Sequence, residues 1–159
     1  MLSSYGHPVP VPAGRLQETG RRFAAKVLAS EFTADRDRLV LDLGGAYAAS
    51  NLVSLVRTFD FDRKKRLFTV ADKVEFAEPA SFASPIVTFA DVVADYAPGK
   101  CELKDGKRSV AVTAAAEGGA WHLTTELVEN PLKVSPKRLS LEFDRPVRTA
   151  EVTWSFQAK

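Results

Sequence analysis

The chain has 159 residues, of which 45% are hydrophobic and 26% are charged, and it carries a formal net charge of +2 at pH 7. These values are typical of a globular domain with a proper core, and they exclude an intrinsically disordered chain. The basic residues are scattered among acidic ones, so the sequence lacks the one-sided basic surface of a nucleic-acid-binding protein. We expect one domain over residues 1–159, with no nucleic acid as a partner.

Signals for membranes, export and covalent cross-links are few. No apolar run approaches the roughly 20 residues that are needed to cross a bilayer, so no membrane partner is expected. The N-terminus lacks the charged and apolar regions of a signal peptide. The single cysteine, Cys101, excludes an internal disulfide and a cysteine-cluster metal site, and is predicted to be an inert strand residue.

The chain opens with a proline-rich segment and continues as a series of strand-like runs. Prolines at positions 8, 10 and 12 exclude a helix or a central strand, so they predict an extended edge or polyproline-like segment within a proline-rich entry segment over residues 1–20. Apolar alternation then predicts strands, in chain order, over residues 23–33, 38–43, the two arms of 53–76, 81–90, 92–96, 100–103, 109–115, 121–129, 139–143 and 147–156.

Turn signals separate these runs. Asp105-Gly106 between two strand-like runs predicts a tight hairpin, Glu78-Pro79 predicts a break, and Pro85 indicates an edge or a bulge. No segment has the periodicity of an amphipathic helix. About ten strands at this spacing favour an all-β fold, an antiparallel two-sheet β-sandwich rather than a small barrel.

The central hairpin, residues 53–76, is the most informative stretch, because a charged turn at 63–66 joins two runs with a period of two. The residues predicted to share its inner face are Val53, Leu55, Arg57, Phe59 and Phe61 on the first run and Phe68, Val70, Asp72, Val74 and Phe76 on the second. If Phe61 faces Phe68, then Arg57 faces Asp72, whereas a slip of one residue leaves both charges unpaired. We predict a structural ion pair, Arg57–Asp72; the alternative is that the planar fork of Arg57 binds the carboxylate of an acidic sugar.

Candidate catalytic groups are scarce. The sequence offers no recognisable Ser-His-Asp set, no phosphate-binding glycine loop and no pair of ligands at metal spacing. Of the two histidines, His122 alternates away from the apolar side of its strand, and His7 lies in the irregular proline-rich segment. From the residues alone the sequence indicates a β-sandwich and goes no further.

Three stretches, residues 7–28, 40–63 and 67–89, together resemble the C-terminal β-sandwich of heparinase II/III-like polysaccharide lyases. The shared features are a histidine before spaced glycine and glutamine residues, then an aspartate–glycine–alanine–tyrosine region, and then the two strands with opposite charges. In this chain they are His7, Gly14, Gln17 and Gly20, the 42–47 region, and the strands of Arg57 and Asp72. The resemblance covers residues 5–89 in sequence and the remainder only in strand pattern.

This resemblance implies a specific chemistry. Members of the family cleave uronate-containing polysaccharides by β-elimination, in which a base removes the proton beside a neutralised carboxylate and an acid protonates the leaving oxygen. Most of the catalytic residues lie in a preceding helical domain, so the resemblance implies no catalytic residue within this chain and no activity of the chain alone. The implied partners are an acidic polysaccharide and the upstream helical domain of the same polypeptide, in the periplasm or outside the cell.

His7 resembles a family histidine that in some members helps to hold a structural metal ion, zinc or calcium. Here proline follows it where asparagine is typical, and the family's other ligands would lie upstream. A zinc site normally needs three or four protein ligands, so we expect no cofactor in this chain alone and a metal at His7 only in a longer protein.

Two other functions stay open. A stand-alone carbohydrate-binding module would need an exposed aromatic platform, for which Tyr47, Tyr96 and Trp121 are the candidates. A purely structural or protein-interaction β-sandwich would need none.

Overall fold

A computed structural model describes residues 3–94, 98–129 and 134–158 of the chain. These residues form twelve β-strands and two short 3-10 turns, at Ser4–Gly6 and Gly44–Ala46, and contain no α-helix. The strands are β1 Val11–Pro12, β2 Lys26–Phe32, β3 Arg36–Asp42, β4 Leu52–Asp62, β5 Leu67–Ala80, β6 Phe82–Thr88, β7 Asp91–Ala94, β8 Lys100–Asp105, β9 Arg108–Glu117, β10 Trp121–Leu127, β11 Lys137–Phe143 and β12 Val147–Ala158. Nothing helical in these three ranges has the length and hydropathy needed to span a membrane.

The strands form two antiparallel sheets. One has four strands in the order β1-β6-β11-β10, and the other has eight in the order β2-β3-β4-β5-β12-β9-β8-β7. The predicted all-β two-sheet architecture is therefore confirmed. The edge alternative predicted for the proline-rich segment is found at Val11–Pro12, which form β1 and pair with β6 at the edge of the four-stranded sheet.

The central hairpin has the predicted register. Phe61 pairs with Phe68, and Arg57 pairs with Asp72, across β4 and β5. The prediction for Val53 is wrong, because the register shifts between Leu52 and Ser54 and Val53 is exposed. An extra residue in a strand moves its own side chain out of the alternation, which a strict period of two cannot anticipate.

Two turn predictions have opposite outcomes. Asp105 pairs with Arg108, so the Asp105-Gly106 hairpin is confirmed. The break at Glu78-Pro79 is wrong, because β5 continues to Ala80. A register shift between β5 and β12 places these residues outside the regular ladder, where proline needs no amide hydrogen.

The hydrophobic core lies between the two sheets. Its largest fully buried apolar side chains are Trp154, Phe76, Leu55, Leu141, Val74, Val112 and Val152. Burial is not uniform along the inner face of β5, where the exposed fraction rises from 1% at Phe76 through 8% at Val70 to 36% at Phe68. The core therefore ends before the turn of the central hairpin.

Candidate functional site

A buried ion pair lies at the centre of the eight-stranded sheet. Arg57 on β4 donates from Nε to Asp72 Oδ1 at 2.6 Å and from Nη2 to Asp72 Oδ2 at 2.7 Å. The exposed fractions of the two residues are 5% and 0%. The alternation that buries Leu55 and Phe76 also places these two charges on the inner face, so they are opposite each other and fully desolvated.

The pair is part of a network that joins the two sheets. Ser84 on β6 of the four-stranded sheet donates its hydroxyl to Asp72 Oδ2 at 2.7 Å. The indole Nε1 of Trp154, on β12 of the opposite sheet, donates to Ser84 Oγ at 3.1 Å. Because each of these buried polar groups has a partner, the network costs little in unsatisfied hydrogen bonds and fixes how the sheets stack.

The same network holds the proline-rich segment by its backbone. Arg57 Nη1 donates to the carbonyl oxygen of Pro8, and the hydroxyl of Tyr47 donates to the carbonyl oxygen of Pro10 at 2.6 Å. A second buried arginine, Arg138 on β11, donates from Nη1 to the carbonyl oxygen of Tyr5 at 2.6 Å. We call Arg57, Arg138 and Tyr47 the carbonyl clamp, because each binds a backbone oxygen of residues 5–10.

This geometry decides how Arg57 can act. Its Nε, Nη1 and Nη2 atoms each have a protein partner, and Asp72 fills the planar fork that a sugar carboxylate would need. A glycan could reach Arg57 only after Asp72 and the N-terminal segment had moved away. The geometry therefore favours the structural interpretation over uronate binding.

Burial disfavours the ionised form of two core side chains, the Tyr47 phenol and the Cys101 thiol. Burial raises the pKa of the Tyr47 phenol well above its usual range, although the nearby Arg57 acts in the opposite direction. Burial likewise raises the pKa of the Cys101 thiol. A phenol and a thiol that resist ionisation are poor candidates for a base or a nucleophile at neutral pH.

The two histidines lie at the surface and apart. His7 is exposed where the first 3-10 turn ends, and its backbone amide donates to the carbonyl oxygen of Ser4. His122 on β10 is exposed, with Nδ1 2.6 Å from Asp144 Oδ1. Within the described ranges, no group of three or more His, Cys, Asp or Glu side chains could hold a metal ion. The residues present do not build a metal site around His7, and metal binding there stays a prediction about a longer protein.

The aromatic residues considered for a carbohydrate platform are not arranged as one. Tyr47 is buried in the core, and Trp121 is half-buried and packs against it. Tyr96 lies outside the described residues. The sequence-based candidates therefore provide no exposed platform among the residues that can be placed.

An apolar surface that the sequence did not indicate lies at the turn end of the central hairpin. Here the inner face of β2–β5 emerges from the core and lines a groove of about 490 Å³. We call its apolar residues the aromatic overhang: Phe32, Leu39, Phe59, Phe61 and Phe68. The rings of Phe59 and Phe68 stack with their centroids 6.3 Å apart, and Phe32 is 69% exposed. Leu39, Phe59 and Phe61 are half-buried, so Phe32 and Phe68 form the exposed part of this surface. Exposed apolar patches often mark interaction surfaces.

Comparison with known proteins gives one clear similarity. Neither a protein-family model nor a curated protein matches the chain. Among solved structures, the heparinase III BT4657 gene product matches with a TM-score of 0.77 at 10% identity, over 96% of this chain and 24% of that one. The heparan sulfate lyase HepC of Pedobacter heparinus matches with a TM-score of 0.73 at 15% identity, again over 96% of this chain and 24% of that one.

The chain spans about a quarter of the length of these structures. Identities this low establish the fold alone. The resemblance seen in the sequence is therefore confirmed as a shared architecture: the chain has the fold of one domain of these heparinase III and heparan sulfate lyase structures.

Proposed function

We propose that this chain is the β-sandwich module of a larger heparinase II/III-like polysaccharide lyase, whose β-elimination chemistry is carried by a preceding helical domain. The observation that carries the proposal is the pair of coverages, 96% of this chain but only 24% of the heparinase III structure. The substrate class that fits is an acidic, uronate-containing polysaccharide, met in the periplasm or outside the cell.

The described side chains support a module that is inactive on its own. β-Elimination needs a base, a neutralising donor for the carboxylate and an acid, all within reach of one sugar ring. Arg57 is committed to Asp72 and Pro8, the Tyr47 phenol is buried, and the two histidines are exposed with no shared site. These groups maintain the sandwich and its N-terminal segment, and they do not form a cleft around a substrate.

The experiment compares the isolated chain with the polypeptide made by the source cells. The purified 159-residue chain is incubated with heparan sulfate, and the ultraviolet absorbance of unsaturated uronate products is followed. We expect no product from the isolated chain, and lyase activity from a native polypeptide much larger than 17.4 kDa. A native polypeptide of 17.4 kDa, or product formation by the isolated chain, would refute the proposal.

A stand-alone carbohydrate-binding module is the second candidate, and the aromatic overhang is the one observation that favours it. Neither tryptophan lines the groove, and Trp121 is half-buried while Trp154 is fully buried. A sugar bound at the overhang should therefore leave tryptophan fluorescence almost unchanged. The same sugar should protect the exposed Phe68 from chemical labelling. Saturable binding of heparan sulfate oligosaccharides by the isolated chain would favour this second function.

A further inference from the structure

Strand β2 is an edge of the eight-stranded sheet, and all seven of its residues are exposed. Three of them are large and apolar, with exposed fractions of 65% at Val27, 56% at Leu28 and 69% at Phe32. In the other sheet the edge strand β1 has only two residues, and a short edge strand is one way in which proteins block pairing with other chains. A longer edge strand with exposed apolar side chains is, in contrast, a template on which another strand can pair.

The two charged side chains of β2 share one face because the strand has a bulge. Lys26 and Glu31 are five residues apart, so in a regular strand their side chains would point to opposite faces. An extra residue, Leu28, resets the alternation, and as a result Lys26 pairs with Asp42 on β3 while Glu31 pairs with Arg38. These two partners are four residues apart on a strand without a bulge. Lys26 and Glu31 therefore point to the same face of the sheet.

The charges of β2 have no partner in the part of the chain that the structure describes. There, neither the Lys26 ammonium nor the Glu31 carboxylate forms an ion pair or a hydrogen bond. The edge strand β10 also has seven residues, but its charges are used within the chain. His122 lies 2.6 Å from Asp144, and Glu126 accepts a hydrogen bond of 2.6 Å from a tyrosine hydroxyl of the N-terminal segment. Only on β2 are both edge charges available to another molecule within these described residues.

The strand that fits these charges is a second copy of β2. In an antiparallel pair of identical strands every contact occurs twice about a two-fold axis, and facing side chains lie on one face of the sheet. One register places Lys26 opposite Glu31 of the second copy, so both charges gain a partner of opposite sign on both sides of the axis. A slip of one residue places Lys26 opposite Ser30 or Phe32, which point to the other face. A pair centred on Glu31 places two carboxylates opposite each other, which is unfavourable.

We propose that β2 is the interface of a symmetric dimer, in which two copies of this chain pair edge to edge and extend the eight-stranded sheet across the two-fold axis. Lys26 and Glu31 form an ion pair on each side of that axis. The net charge of +2 opposes the association of two copies only weakly. Seven residues from each copy are fewer than the roughly 20–30 of a standard stable interface, so the dimer dissociates on dilution. The inference goes beyond the proposed function and does not depend on a preceding domain.

The test is sedimentation velocity of the 159-residue chain over a series of concentrations from micromolar to millimolar. We expect the wild-type mass to rise with concentration from 17.4 kDa towards twice that value. Lys26→Glu places two carboxylates opposite each other, and Glu31→Lys places two ammonium groups opposite each other, so each variant alone should lose the dimer. An equimolar mixture of the two variants restores both ion pairs between unlike copies and should dimerise. The matched control, Lys73→Glu, reverses an exposed charge on the central strand β5 and should dimerise like the wild type.

The mixture separates contact between copies from a local effect on β2. Each substitution also changes the pairing of β2 with β3, because Lys26 lies opposite Asp42 and Glu31 lies opposite Arg38. Both variants keep that change in the mixture, so a gain of dimer on mixing arises only between copies. A wild-type chain that stays monomeric at millimolar concentration, a dimer that survives either charge reversal, or a mixture that stays monomeric would overturn the inference. Each of these results leaves the proposed function standing.

Discussion

The buried ion pair gives the strongest test of how the sandwich is held together. In Arg57→Ala, the Asp72 carboxylate stays fully buried with only the Ser84 hydroxyl, at 2.7 Å, as a partner. In Asp72→Ala, the guanidinium keeps only the Pro8 carbonyl. Removing one member of a buried pair costs about 3–5 kcal/mol, because it leaves an uncompensated charge out of water. Each single variant should therefore lose a large part of the stability of the domain.

The double variant Arg57→Ala/Asp72→Ala should be much less damaging than the two losses added together. It removes both charges at once, and the Ser84 hydroxyl keeps the Trp154 indole as a partner at 3.1 Å. What remains is a cavity and the lost hydrogen bond to Pro8. We expect a coupling free energy of about 2–3 kcal/mol between the two sites, at the upper end of the range for residues in contact.

The measurement is urea unfolding of the wild-type chain and the three variants, with the midpoint and the slope fitted separately. A matched cycle on Arg36 and Asp60, a bidentate pair at the surface, should give a much smaller coupling because water screens it. If the losses at Arg57 and Asp72 add within about 0.5 kcal/mol, the two side chains are not energetically linked and the reasoning fails.

Three further predictions concern single residues. In urea unfolding between pH 8 and 11, Tyr47→Phe should lose less stability at alkaline pH than the wild-type chain does. Burial raises the pKa of the Tyr47 phenol in the folded state, so its contribution to stability is fully present below the unfolded pKa of about 10. That contribution is lost as the pH rises from the unfolded pKa towards the folded one, and phenylalanine cannot ionise. Gly118→Ala should destabilise the domain by more than about 1 kcal/mol in thermal unfolding, since its φ is +116° and a Cβ would lie 2.5 Å from a carbonyl oxygen, whereas Gly106→Asn, at φ +58° in open space, should be nearly neutral. Cys101 should react with a thiol reagent only after unfolding, because burial shields it and raises its pKa; rapid labelling of the folded chain would contradict this.

The central hairpin could be predicted from the sequence because its information is local. Two runs with a period of two and one charged turn define the register, and the two misplaced charges make one register better than its neighbours. The error at Val53 has the opposite origin. Val53 is an extra residue in β4, between Leu52, which pairs with Phe76, and Ser54, which pairs with Glu75. In the sequence Val53 continues the apolar alternation of Leu55 and Arg57, so nothing in that alternation marks the bulge.

The exposure of the aromatic overhang and the burial of Arg138 could not be predicted, and the reason is the same. Each depends on which other part of the chain packs on that face of the strand. Apolar alternation predicts which residues share a face of a strand, but not how far the second sheet covers that face. The sequence therefore predicts the same burial for Phe68 as for Phe76, although Phe68 is 36% exposed and Phe76 is 1% exposed. Arg138 lies between Lys137 and the inward-facing Leu139, so its alternation points it outward. It is buried because Tyr5 packs over it, with the Tyr5 ring centre 4.6 Å from the guanidinium.

The buried charged side chains stabilise the domain itself, whereas the aromatic overhang is a surface on which another molecule could bind. The buried charges, Arg57, Asp72 and Arg138, are directed at the chain's own backbone and at one another. Because the two arginines bind carbonyl oxygens, they fix the path of the N-terminal segment whatever side chains that segment carries. The groove at the overhang, in contrast, has an apolar floor, and its rim carries the ion-paired Asp37 and Asp60 together with Arg38. Exposed aromatic rings of this kind gain from burial against a partner, as in the centres of protein interfaces.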